Sequence, residues 1–212
     1  MTWIEWFCSL HGNEGVCIVP QDFICDQFNL TGLRKTIDNY EDAFDVLTGR
    51  IQNDKKIDKI AKSVIELYSI LHQRFVASDE GLECVKSKYD DHVYGVCPRY
   101  YCNECPLLPV GLSNEPGRHI VKYYCPCCKD IYVPSDKRES TLDGCFFGPS
   151  FPMEFLIHYP ECVPREPIRV YEPKLYGFSI HEESKAFRQG RFDDTVREPE
   201  TSGGERRRCI VF

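Results

Sequence analysis

The strongest constraint on this chain is a run of cysteines, because Cys97, Cys102, Cys105, Cys125, Cys127 and Cys128 crowd into one short stretch. Clustering of this kind serves metal binding. Zinc takes four soft ligands at the corners of a tetrahedron, and two short cysteine turns on neighbouring hairpins supply two each. Two ligand sets satisfy that requirement. One joins Cys97-x4-Cys102 to Cys125-x2-Cys128 across 22 residues. The other joins Cys102-x2-Cys105 to the same second turn across 19 residues, nearer the generic ribbon spacing. Spacing alone leaves Cys97 and Cys105 as alternatives for the fourth ligand. Either site is closed, with no open position for water or substrate, and would stabilise a segment whose own core is thin. A dithiol redox role for Cys125 and Cys128 fits less well, since such a motif opens a helix within a βαβ unit and this one lies between strand-like runs. A RING domain needs eight ligands, which the segment does not supply.

The total of 13 cysteines is odd, and Met1 to Cys8 carries no basic n-region or cleavage site. No run of 18 apolar residues occurs. The expectation is a soluble, intracellular chain with reduced cysteines, in which most of the scattered ones, such as Cys8, Cys17, Cys25 and Cys84, are small buried hydrophobes.

Residues 1–91 read as a helical domain. Ile57, Ile60, Ala61, Val64, Ile65, Tyr68, Leu71 and Phe75 recur at spacings of three and four, predicting one amphipathic helix from about Lys55 to Phe75. Tyr40, Phe44 and Leu47 mark a shorter helix from Asn39, stopped at Gly49. Another begins at Ser78 or Asp79 and carries Leu82 and Val85, and an earlier element runs from Pro20 to Thr31-Gly32. Residues 92–160 turn rich in Pro, Gly, Tyr and Cys, with strand-like runs at 120–124 and 131–133, and read as the zinc ribbon. Their apolar surplus implies either a partner surface or packing against the helices. A hairpin is expected over 161–182, and a polar tail over 183–212. The fold class is therefore α+β: an N-terminal all-α domain, a four-cysteine zinc ribbon, and a C-terminal hairpin and tail.

The formal net charge of −7 argues against a protein that grips phosphate backbones, so no nucleic-acid partner is expected. There is no Gly-rich phosphate loop, His-Arg-Asp loop or Asp-Phe-Gly motif, so no kinase catalysis is expected either.

Several long strings carry a resemblance. They are Trp3 to Cys8, Gly12-Asn13-Glu14, Phe28 to Leu33, Tyr94 to Cys102, Leu108 to Ser113, Val121 to Cys128, and Leu175-Tyr176-Gly177-Phe178. In order and spacing, from residue 3 to about 181, the chain resembles the regulatory beta subunits of casein kinase II. The resemblance implies a structural Zn2+ held by Cys97, Cys102, Cys125 and Cys128, with Cys105 and Cys127 as bystanders. It implies a homodimer built on the ribbon, at Pro98, Tyr100, Leu112 and Ile131. It also implies that Leu175, Tyr176, Phe178 and His181 present a hairpin to the kinase catalytic (alpha) subunit. Two catalytic subunits would then join the dimer in a cytoplasmic and nuclear Ser/Thr kinase holoenzyme, whose protein substrates the regulatory subunit helps to select. The chain departs from the family at its start, which lacks a serine-rich acidic stretch. It departs again at Arg50 to Lys62, where Lys55, Lys56, Lys59 and Lys62 face Asp54 and Asp58. Glu154 stands at a kinase-facing position that is apolar in relatives.

Cys209-Ile210-Val211-Phe212 after Arg206 to Arg208 fits a prenylation pattern, which would add membrane contact through the C-terminus. Two other functions compete with the regulatory-subunit reading: a dimeric ribbon adaptor for other kinases, and a nucleic-acid-binding ribbon.

Overall fold

In a computed structural model, residues 1–134, 141–164, 174–179 and 181 are described. Helix α1 (Trp3–Ser9) begins with a capping box in which Thr2 and Glu5 satisfy each other's backbone N–H groups, at 3.2 and 2.7 Å. Short helices α2 (Gln21–Cys25) and α3 (Leu33–Thr36) lead to α4 (Tyr40–Leu47). The long α5 (Asp54–Val76) is capped by Asn53, whose side chain accepts from Lys56 N, and it is the spine on which α4 and α6 (Asp79–Asp90) pack. Ser78 caps α6 by accepting from Gly81 N at 3.2 Å. A Cβ at Gly81 would lie 2.0 Å from the Phe75 carbonyl, so only glycine lets α6 start so close to the end of α5.

The α5 stripe departs from the simple periodic reading at its edges. Ile65 is exposed, whereas Leu67, His72 and Val76 are buried. The four scattered cysteines read as buried also divide: Cys17 is buried, Cys8 and Cys84 are half-buried, and Cys25 is exposed. Cys25 is the last residue of the single-turn α2, whose buried position is the neighbouring Ile24.

Beyond residue 92 an antiparallel sheet forms in the order β1 (Leu108–Val110), β2 (Lys122–Tyr124), β3 (Ile131–Tyr132), with Pro109 opposite Tyr123 and Tyr123 opposite Tyr132. A 3-10 turn (Gly144–Phe146) then leads into α7 (Phe151–His158), a helix within the stretch read from sequence as strand and turn. Gly111 and Gly144 pass in backbone contact, since a Cβ on Gly111 would meet the Gly144 carbonyl at 2.0 Å. The last described elements are β4 (Lys174–Leu175) and β5 (Phe178–Ser179), a two-stranded hairpin.

The buried core is continuous from α1 through α5 and α6 to the ribbon and α7. A row of rings threads it: Trp3, Phe7, Phe146, His72, Phe147, Phe151, Phe155 and Tyr159, with successive centroids 5.0–6.1 Å apart. Tyr94 branches from Phe147 toward Tyr123 of β2, tying the row to the sheet. His72 is fully buried and fully bonded. Its Nε2 accepts from Cys17 N at 2.9 Å, which leaves the Nδ1–H to donate to the Phe146 carbonyl at 2.7 Å. Among the described residues no buried side-chain nitrogen or oxygen lacks a partner.

Candidate metal centre and partner surfaces

Two turns build the centre. The first is held by a narrow hairpin in which Cys97 N donates to the Cys105 carbonyl at 2.8 Å and Leu107 N to the Gly95 carbonyl at 3.1 Å. Within it a 3-10 turn (Tyr100–Cys102) brings Cys102 back over Cys97, and Asn103 and Glu104 adopt left-handed conformations to reverse the chain. The second turn joins β2 to β3. Cys125 N donates to the Asp130 carbonyl, Lys129 N to the Cys125 carbonyl, and Lys129 takes φ 59°. An Arg99–Asp130 ion pair at 2.8 Å clasps the turns together on the outside.

The result is four buried sulfurs, Cys97, Cys102, Cys125 and Cys128, all within 4.8 Å of one another. Cys97 Sγ and Cys128 Sγ are 3.8 Å apart. A tetrahedron with metal–sulfur bonds of about 2.3 Å has edges of about 3.8 Å, so the donor set fits a zinc-sized ion with thiolate ligands. Cys105 is half-buried and stands outside the group of four, its Sγ directed to the Pro106 carbonyl at 3.7 Å while still touching the Cys125 thiol. Three of the four thiols are held in the protonated form by their surroundings. Sharing with the Cys125 thiol and burial push Cys97 up, burial and the neighbouring thiols push Cys102 up, and contact with Cys105 raises Cys125. Metal uptake must displace those protons, and so strengthens as pH rises.

Tyr132 was not foreseen from the sequence. Its hydroxyl lies 3.1 Å from Cys128 Sγ, placed to donate to that sulfur once it carries negative charge, and accepts from Cys97 Sγ at 3.6 Å. The signal available was positional: an aromatic hydroxyl four residues after the last cysteine, on the strand leaving the second turn.

The residues expected at a dimer face are all on the surface of the ribbon: Pro98, Tyr100 at 87% exposure, Leu112 and Ile131. The hairpin of β4 and β5 turns through Tyr176 (φ 51°) and Gly177 (φ 87°) alone, the type I′ geometry that matches strand twist. Its tip carries Tyr176 at 93% and Phe178 at 78% exposure. The backbone of Leu175 pairs with that of Phe178, and His181 is exposed. Cys209, with the rest of the 183–212 tail, lies outside the described residues. No helix among the described residues is long and apolar enough to cross a membrane.

A helical domain joined to a four-cysteine ribbon, with apolar side chains displayed on the ribbon and on a separate hairpin, makes an α+β protein with a candidate zinc ribbon. The family model described as casein kinase II regulatory subunit matches residues 2–179. Casein kinase II subunit beta' of Drosophila melanogaster is 40% identical over 184 residues, covering 85% of this chain and 84% of that protein. Casein kinase II subunit beta of Schizosaccharomyces pombe is 39% identical over 191 residues, covering 88% and 82%. The namesake of Dictyostelium discoideum is 39% identical over 189 residues, covering 87% and 70%. The chain belongs to the casein kinase II regulatory subunit family, as a beta-type subunit.

Proposed function

We propose that this chain is the non-catalytic member of a casein kinase II holoenzyme, assembled through two surfaces and one metal ion. Zn2+ bound by Cys97, Cys102, Cys125 and Cys128 supplies no chemistry to a substrate. It cross-links the two turns, and so keeps the ribbon face in shape. That face, with Pro98, Tyr100, Leu112 and Ile131, pairs with its equivalent on a second copy. An isologous contact of this kind covers on both subunits apolar surface that a monomer would leave in water.

The observation that carries the reading is the hairpin tip. Tyr176 and Phe178 are large aromatics held out in solvent by a tight two-residue turn, which is costly unless a pocket receives them. A catalytic subunit that binds the hairpin is stabilised by mass action and held in a fixed orientation to the dimer, where the pair selects protein substrates.

Calorimetric titration of the zinc-loaded chain into a casein kinase II catalytic subunit tests this. One catalytic subunit per chain is expected, with Tyr176→Ala or Phe178→Ala each losing about 1–3 kcal/mol of association free energy. Absence of binding by the unsubstituted chain would refute the proposal and favour an adaptor for a different kinase.

A further inference from the structure

A groove of about 650 Å³ runs along α1, past the connection from α4 to α5, and over the first turns of α5. Its size falls in the range of about 300–1,000 Å³ typical of clefts that hold ligands. Trp3, Trp6, Ile51 and Ile57 form its apolar walls, and Asp54 and Asp58 its acidic margin. Trp3 is fixed from behind, stacked on Phe7 at 5.0 Å and edge-on to Tyr68 at 5.8 Å. Trp6 stands at 55° to it, 47% exposed, so the two indoles open as an angled pair. Asp54, Ile57 and Asp58 share one helix face by their spacing. Among the described residues no lysine lines the groove, although Lys55 and Lys59 directly follow the two acids in sequence. Lys56 bonds Asp42 at 2.8 Å and Lys62 approaches Glu66 at 3.6 Å, while neither Asp54 nor Asp58 has an ion-pair partner among the described residues.

Aromatic walls beside two carboxylates suit a segment in which guanidinium groups adjoin large apolar side chains. Arginine stacks on indole faces and pairs with carboxylates, and its weak hydration lets it do both in a half-buried cleft. The chain carries such a segment at Arg206-Arg207-Arg208, followed after Cys209 by Ile210, Val211 and Phe212. We propose that residues 206–212 dock in this groove, with the arginines at Asp54 and Asp58 and against the indoles, and the apolar triplet over Ile51 and Ile57. Reach is ample. The 25 residues from His181 to Arg206 extend to about 80 Å, against a radius of gyration of about 17 Å for a compact chain of this length.

The chain contains two tryptophans and both line the groove, so their emission reports its occupancy. Emission and acrylamide quenching are compared between the full chain and a chain ending at Gly204, with far-UV circular dichroism confirming an unchanged fold. Truncation is expected to red-shift the emission and raise the quenching constant, and a lipid-free synthetic peptide of residues 203–212 to reverse both. Asp54→Asn with Asp58→Asn should weaken binding of that peptide by about tenfold at low ionic strength, a difference that closes in 1 M salt. Unchanged emission and quenching on truncation would overturn the proposal. So would equal peptide binding by the doubly substituted chain. Tryptophan protection that grows with protein concentration and survives truncation would also overturn it, assigning the groove to a second copy.

Discussion

Among the groups that respond when pH falls from 7 to 5, His72 should cost this fold a separable share of its stability. Burial drives its imidazole down from 6.5 to about 4, the nearby positive charge of Lys88 adds to the effect, and the Phe146 carbonyl opposes it. The geometry explains why the proton is refused: Nε2 is already occupied by Cys17 N–H, and protonating it would set two donors against each other. Because the folded value lies below the unfolded one, the contribution is intact above about pH 6.5 and is lost as pH falls toward 4. At pH 5 an exposed imidazole is about 97% protonated and one with a value of about 4 only about 9%, which corresponds to a loss of about 2 kcal/mol relative to pH 7. The loss reaches about 3 kcal/mol below pH 4.

Urea unfolding at fixed protein concentration with excess zinc, at several pH values from 7 to 5, measures this when run beside His72→Gln. The glutamine oxygen can still accept from Cys17 N, but the Phe146 carbonyl loses its donor, so the variant should start about 1–3 kcal/mol less stable at pH 7. The gap between the two proteins should then narrow by about 2 kcal/mol at pH 5, since only the histidine chain takes up the extra proton on unfolding. Carboxylates and the metal centre titrate in both chains and cancel in the difference. A gap that stays constant across the range would refute the assignment.

Three further outcomes follow from the ribbon. Tyr132→Phe removes the hydroxyl beside Cys128 and Cys97 while keeping the ring, and should weaken zinc binding about 10- to 100-fold in a chromophoric-chelator competition. Full zinc removal should collapse the ribbon signals in heteronuclear NMR spectra and lower the dimer's association, with the α4–α5 signals least affected. Gly111→Ala pushes a methyl group into the Gly144 backbone and should cost more than about 3 kcal/mol in thermal or chemical unfolding, a far larger loss than an ordinary surface Gly→Ala change.

Much of the helical domain was legible because α5 carries its apolar residues with a clear period and Ser78 caps α6. What periodicity cannot convey is the depth of the groove between neighbours, which is why Ile65 emerged and His72 sank. Helix α7 escaped for a different reason. Phe151, Pro152, Phe155 and Leu156 are buried while Met153 and Ile157 are exposed, so the segment is apolar all round and shows no stripe. Its start signal was present in Pro152, at the position where proline favours a helix, but the surrounding glycines and prolines masked it. Strand β1 was hidden by Pro109, a residue tolerated there because β1 is an edge of the sheet. At the metal centre spacing alone allowed Cys97 or Cys105; the family resemblance pointed to Cys97, and the fold gathers Cys97 with the other three. The 3-10 turn carries Cys102 back toward Cys97, whereas Cys105 lies on the returning arm.

The row of rings from Trp3 to Tyr159 ties together the histories of residues that are far apart in the chain. A close-packed stack of planar groups admits neither a gap nor a bulkier neighbour at one site without adjustment at the next. Positions 7, 72, 146, 147, 151 and 155 should therefore drift in step rather than singly as the family diverges. A substitution borrowed at any one of them from a distant relative would need its companion borrowed too.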